Sequence, residues 1–129
     1  MQFADLALDA LILKAIADQG YQSPTPIQQK TIPVILQGKD VLGGAQTGTG
    51  KTAAFTLPIL QKLISQPKTL EPKQIRCLVL TPTRELAQQV ADNIAAYARH
   101  LPLKTAVFYG GVSINPQLDA ADGGLDILI

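Results

Sequence analysis

An α/β fold, a parallel sheet with helices on both faces, is the architecture that three observations in this sequence predict. Short apolar runs alternate with segments of helical periodicity along 129 residues, and such alternation implies helical crossovers between parallel strands. A glycine-rich turn, Ala45–Gly50, stands between an apolar run and a helical pattern, at the strand end where sheets of this kind bind ligands. Hydrophobic residues make up 47% of the chain, enough for one compact domain with its own core.

The elements follow in order. From Asp9 to Ala17 the residues Leu11, Ile12, Ala15 and Ile16 recur at helical spacing, and Gly20 stops the helix. Thr25 and Pro26 read as a cap and a first-turn proline, opening a second helix that Pro33 should bend or divide before Gly38. A strand is expected at Asp40–Gly44. A helix follows from Lys51 to about Ile64, with a kink at Pro58. Ser65 to Lys73, polar and holding Pro67 and Pro72, reads as a surface loop. The rest repeats the pattern: strand Ile75–Thr81, helix Arg84 to about Arg99, strand Lys104–Tyr109, a short helix near Pro116, and strand Leu125–Ile129.

Charged residues are 16% of the chain and the formal net charge is +1, so bulk charge gives no footing for nucleic-acid binding and any such site must be local. The single cysteine, Cys77, lies in the apolar run around Ile75–Leu80 and reads as a core thiol. One cysteine and one histidine, His100, allow neither a disulfide framework nor a metal cluster, which points to a reducing, cytoplasmic setting. His100 reads as a helix-end residue, and Lys62, Arg99 and Lys104 as solvated charge. The amino terminus lacks the basic start and apolar core of a secretory signal, and no apolar run reaches membrane-spanning length.

The segment Ala45, Gln46, Thr47, Gly48, Thr49, Gly50, Lys51, Thr52 has the composition and setting of a phosphate-binding loop. Gly48 and Gly50 let successive amides point inward, and the positive end of the following helix adds to their attraction for phosphate. Lys51 would reach the outer phosphates of a nucleotide, and the Thr52 hydroxyl would contact the magnesium that bridges them. The general pattern begins with glycine, where this chain has Ala45. By itself the loop suits a kinase, a GTPase, a transporter ATPase or a helicase.

Further motifs choose among these. Gly20 to Gln28, reading Gly-Tyr-Gln-Ser-Pro-Thr-Pro-Ile-Gln, resembles the Q motif peculiar to DEAD-box RNA helicases, and Phe3 matches that family's isolated upstream aromatic. A phosphate loop opening on alanine is the family's usual form. Pro82-Thr83-Arg84-Glu85-Leu86-Ala87 resembles its motif Ia, and Gly110-Gly111 its double-glycine motif. Residues 110–117, Gly-Gly-Val-Ser-Ile-Asn-Pro-Gln, are similar to the bacterial RhlE-type subgroup.

The resemblance implies a RecA-like P-loop NTPase fold, with residues 1–129 as the front part of the first RecA-like domain. The Asp-Glu-Ala-Asp box and the second RecA-like domain would lie past Ile129. It implies ATP and magnesium as cofactors, and RNA held by sequence-independent backbone contacts to Pro82, Thr83, Arg84, Gly110 and Gly111. Gln28 becomes a reader of adenine rather than a helix-surface glutamine, and Tyr21 a stacking aromatic rather than a packing one. Phe3 is expected to pack beneath Tyr21 rather than touch nucleotide. The implied activity is ATP-dependent unwinding or remodelling of short RNA duplexes by the whole protein. Residues 1–129 alone would hold nucleotide without turnover. Two rivals remain: a binding module without catalysis, and a small-molecule kinase, against which Tyr21 to Gln28 argue.

Overall fold

The computed structural model describes residues 1–129 apart from Thr47 and Thr49. The chain divides into two units, Met1–Gln66 with Ala96–Leu101, and Pro67–Ala95 with Pro102–Ile129.

The first unit is helical. A single 3₁₀ turn, Phe3–Leu6, is closed where the Gln2 amide donates to the Asp5 carboxylate at 2.8 Å, and Phe3 and Leu6 are buried. Asp9 caps α1 (Ala10–Asp18) by accepting from the Leu11 amide at 2.8 Å. Thr25 is the cap residue of α2 (Pro26–Leu36), with Pro26 at the first position, as its missing amide allows. The third helix, α3, covers Lys51–Ser65.

Neither interior proline divides its helix: α2 runs through Pro33 and α3 through Pro58. An interior proline removes one hydrogen bond, and here packing outweighs that loss. The two helices pack against each other, with Ile32, Leu57 and Leu60 fully buried. The strand expected at Asp40–Gly44 does not form. Its Leu42 is fully exposed and Val41 also lies in the open. Among the described residues no strand pairs with this segment, and strand character is a property of pairing as much as of sequence.

The second unit is built on a parallel three-stranded sheet in the order β1-β3-β2, from β1 (Ile75–Leu78), β2 (Thr105–Ala106) and β3 (Leu125–Leu128). Helix α4 (Arg84–Tyr97) links β1 to β2, and α5 (Ile114–Ala120) links β2 to β3. Cys77 stands opposite Ile127, and Ala106 opposite Leu128. The strands are shorter than expected, but pairing continues through Val79 N to Leu128 O at 2.8 Å and Phe108 N to Ile129 O at 2.7 Å. The run around Cys77 is not the buried strand its composition suggests. Among the described residues β1 pairs on one side only; Cys77 is half-buried, and Leu78 and Leu80 are exposed. Burial still pushes the Cys77 thiol up.

Asp126 holds this sheet together from its centre. Its buried carboxylate accepts from Arg76 on β1 at 3.2 Å and from the Lys104 amide, just before β2, at 2.8 Å. Gly124 brings the chain into β3 with φ +86°, and a Cβ there would lie 2.6 Å from the Glu71 carbonyl oxygen.

Candidate functional site

In the helical unit, Gly48 and Gly50 both have φ of +85°, a left-handed conformation that a side chain penalises. Helix α3 starts directly at Lys51, and its cap residue Gly50 brings no side chain to the first turn. The amides there keep their positive pole available to an anion. Lys51 is exposed and Thr52 half-buried, with Ala45, Gln46 and Gly48 before them. Thr47 and Thr49 lie outside the described residues.

Gln28 joins α2 to this loop. Its carboxamide oxygen accepts from the Thr25 amide at 3.0 Å, capping α2, while its nitrogen donates to the Gly50 carbonyl at 3.1 Å. A Cβ on Gly50 would sit 2.4 Å from that nitrogen, so residue 50 favours glycine for its φ, and a side chain there would displace the Gln28 amide. Gln28 as a whole is 6% exposed. It carries two donors and two lone pairs, and two of the four serve these contacts.

Tyr21 is 55% exposed, with its phenol hydrogen-bonded to Tyr97. Tyr97 is buried, and burial together with Tyr21 pushes its phenol up to about 12. Tyr21 therefore presents its ring to solvent. Phe3 is buried in the turn that packs on α2. Near the end of α4, His100 and Arg99 both meet Asp18, at 2.8 Å and 3.7 Å. The His100 hydrogen bond, aided by the Arg99 charge, holds the Asp18 carboxyl below its usual value. Arg99 is solvated, as read, with its side chain 53% exposed, while helix-end His100 gains a partner that its position did not suggest. The partners are 82 residues apart, and local pattern carries no trace of the pairing. A cavity of about 400 Å³, lined by Ile27, Thr31 and Phe55 among others, also touches Lys51 and Thr52.

In the sheet unit, Pro82, Thr83, Arg84 and Gly110 line one recess of about 370 Å³ with Phe108 and Tyr109. Thr83 caps α4 by accepting from the Leu86 amide at 3.2 Å, which sets Arg84 in the first turn. Gly111 turns with φ +75°, and a Cβ there would lie 3.8 Å from Nη1 of Arg84. Gly110 faces open space, with nothing within 4 Å of its Cβ position. The Arg84 guanidinium lies over the Tyr109 ring, 5.8 Å from its centroid. Nothing in the sequence singled out Tyr109, although it directly precedes Gly110. Among the described residues no three His, Cys, Asp or Glu side chains group as a metal site.

The sequence matches the DEAD/DEAH box helicase family over residues 25–129. The chain belongs to that family. It is 48% identical over 117 residues to the DEAD-box ATP-dependent RNA helicase RhpA of Helicobacter pylori strain B128, covering 91% of this chain and 23% of that protein. It is 48% identical over 128 residues to the ATP-dependent RNA helicase DeaD of Escherichia coli K12, covering 98% of this chain and 20% of that protein. The crystal structure of a DEAD box protein from the hyperthermophile Methanococcus jannaschii superposes with a TM-score of 0.86 at 39% identity, covering 100% of this chain and 34% of that one. The fold is therefore that of a DEAD-box RecA-like domain. The chain spans between 20% and 34% of these proteins.

Proposed function

We propose that residues 1–129 supply the adenine-nucleotide face and one RNA-contacting face of an ATP-dependent RNA helicase that unwinds or remodels short RNA duplexes. In this reading they form part of the first RecA-like domain, and a second RecA-like domain in the whole protein closes on the bound ATP and RNA. The observation that carries the nucleotide half is the link between Gln28 and Gly50. One side chain touches the phosphate loop and keeps a donor and a lone pair for the Hoogsteen edge of adenine. The exposed Tyr21 ring would stack on the base.

The loop fits a polyphosphate. Two glycines turn where side chains could not, and the α3 amides start without a side-chain cap. Ala45 to Thr52 would wrap the phosphates, with Lys51 on the outer ones and the Thr52 hydroxyl on magnesium. The ion, when bound, offsets phosphate charge. No acid lines the cavity at Lys51 and Thr52, and Asp126 is occupied by Arg76. Residues 1–129 alone thus bind nucleotide without hydrolysing it. Support for the RhlE-type subgroup rests on residues 110–117. No helix among the described residues is long and apolar enough to cross a membrane, and a cytoplasmic setting suits a chain with one cysteine.

On the RNA side, Pro82, Thr83, Arg84, Gly110 and Gly111 would grip phosphate and sugar without reading sequence. Calorimetry with ADP and GDP tests the nucleotide half. ADP should bind about ten- to a hundredfold more tightly, the effect of one bidentate base contact, and Gln28→Ala should abolish the difference. Equal affinity in the unaltered chain refutes the adenine role. Phosphate release from residues 1–129 should match the Lys51→Ala background, and RNA-stimulated release lost in that variant refutes the assignment of binding without turnover.

A further inference from the structure

We propose that Tyr109 is the positioning residue for Arg84, holding its guanidinium where an RNA phosphate arrives; this rests on the RNA reading of that recess. Arg84 is exposed and stands in the first turn of α4, the positive end of the helix, where a cation is repelled. Glu85, in the same turn, offsets that repulsion without fixing where the guanidinium points. The attraction comes from the Tyr109 face beneath it, 5.8 Å to the centroid.

The ring is itself held. Arg84, Gln88 and Asp92 recur every four residues and share one face of α4. The Asp92 carboxylate, an acceptor only, takes the Gln88 amide N–H at 2.7 Å. That leaves the Gln88 carbonyl for the Tyr109 hydroxyl, which must donate. A phenol donating outward is more electron-rich, and its face is a better seat for a cation. The Tyr109 backbone is fixed as well, its amide donating to the Gln117 carbonyl at 2.5 Å. Asp92, Gln88 and Tyr109 thus form a bracket ending at Arg84, beside the open backbone of Gly110.

The test is the affinity of a single-stranded oligouridine measured across a salt series for single and paired variants. Arg84→Ala should weaken binding and lower the slope of log affinity against log salt by about 1, the loss of one phosphate contact. Tyr109→Leu removes no charge, yet it should lose about two- to fivefold in affinity and lower the same slope, because the guanidinium leaves the phosphate. In the Arg84→Ala background it should do nothing more. Gln88→Leu, at an exposed helix position, should give a smaller loss, also absent without Arg84, and it keeps the question open to test if Tyr109→Leu fails to fold. Loss with Arg84→Ala, but an unchanged slope in Tyr109→Leu and Gln88→Leu, overturns the bracket and leaves the RNA reading standing. Additive losses in the paired variants overturn it equally. No effect of Arg84→Ala overturns the RNA reading and the bracket with it.

Discussion

Gly50 and Gly110 both sit in turns that face a candidate ligand, and the structure gives them different reasons to be glycine. At Gly50 the backbone is left-handed and a Cβ would strike Gln28, so the fold itself demands glycine. At Gly110 the backbone is ordinary and the surroundings are empty, so the fold demands nothing. The proposed nucleotide side is shaped from within, by the side chain of buried Gln28, which caps α2 and holds the loop at Gly50. The proposed RNA side leaves bare backbone outward, with side chains braced around it. A pocket for one small, fixed ligand suits the first design. A surface for any stretch of sugar-phosphate suits the second.

The sharpest way to break this contrast is through the support beneath the RNA side. Asp126→Ala would remove the buried carboxylate that meets half-buried Arg76 and the Lys104 amide, and it should cost about 3 to 5 kcal/mol in denaturant unfolding. A cost under about 1 kcal/mol would mean that the sheet does not depend on its central ion pair. Next comes Gly50→Ala, expected to destabilise by about 1 to 2 kcal/mol from its left-handed backbone alone, with ADP affinity falling as Gln28 is displaced. Unchanged ADP binding would separate Gln28 from the loop.

The two glycines of the RNA side sharpen the comparison. Gly111→Ala should cost about 1 kcal/mol for its positive φ. Gly110→Ala should change stability by less than about 0.5 kcal/mol while still weakening oligouridine binding. A thermal shift in Gly110→Ala as large as that in Gly111→Ala would erase the distinction. Within the helical unit, Thr56 is buried on α3 with no hydrogen-bond partner for its hydroxyl among the described residues. Thr56→Val keeps the shape and should raise stability by about 1 kcal/mol; a loss would reveal a partner for that hydroxyl.

The smallest effect is acid-dependent. The His100 hydrogen bond, with Arg99, holds the Asp18 carboxyl below its ordinary value of 3.8. A depressed carboxyl contributes stability at pH above that ordinary value, and the contribution is lost as pH falls through the lowered one. His100→Ala should move the Asp18 titration up toward 3.8, read by carbon-detected NMR. An unmoved titration would show that Arg99 suffices.

Local chemistry decided much that the sequence announces by itself. The Thr25-Pro26 opening of α2, the start of α3 at Lys51, the loop glycines and the strand-helix alternation all lie within a few residues of their causes, in capping preferences, positive φ and apolar periodicity. Tertiary structure alone decided the rest, because the partners lie far apart along the chain. Gln28 meets Gly50 across 22 residues, Arg76 meets Asp126 across 50, and Tyr109 meets Gln88 across 21. The same cause explains where the local reading failed. Val41 and Leu42 suggested a strand at Asp40–Gly44, and β1 is apolar enough for a core, but pairing and burial depend on which neighbour lies alongside. The division that Pro33 could have made in α2 is also absent: packing between α2 and α3 outweighs the lost hydrogen bond, and no local pattern records what a helix will pack against.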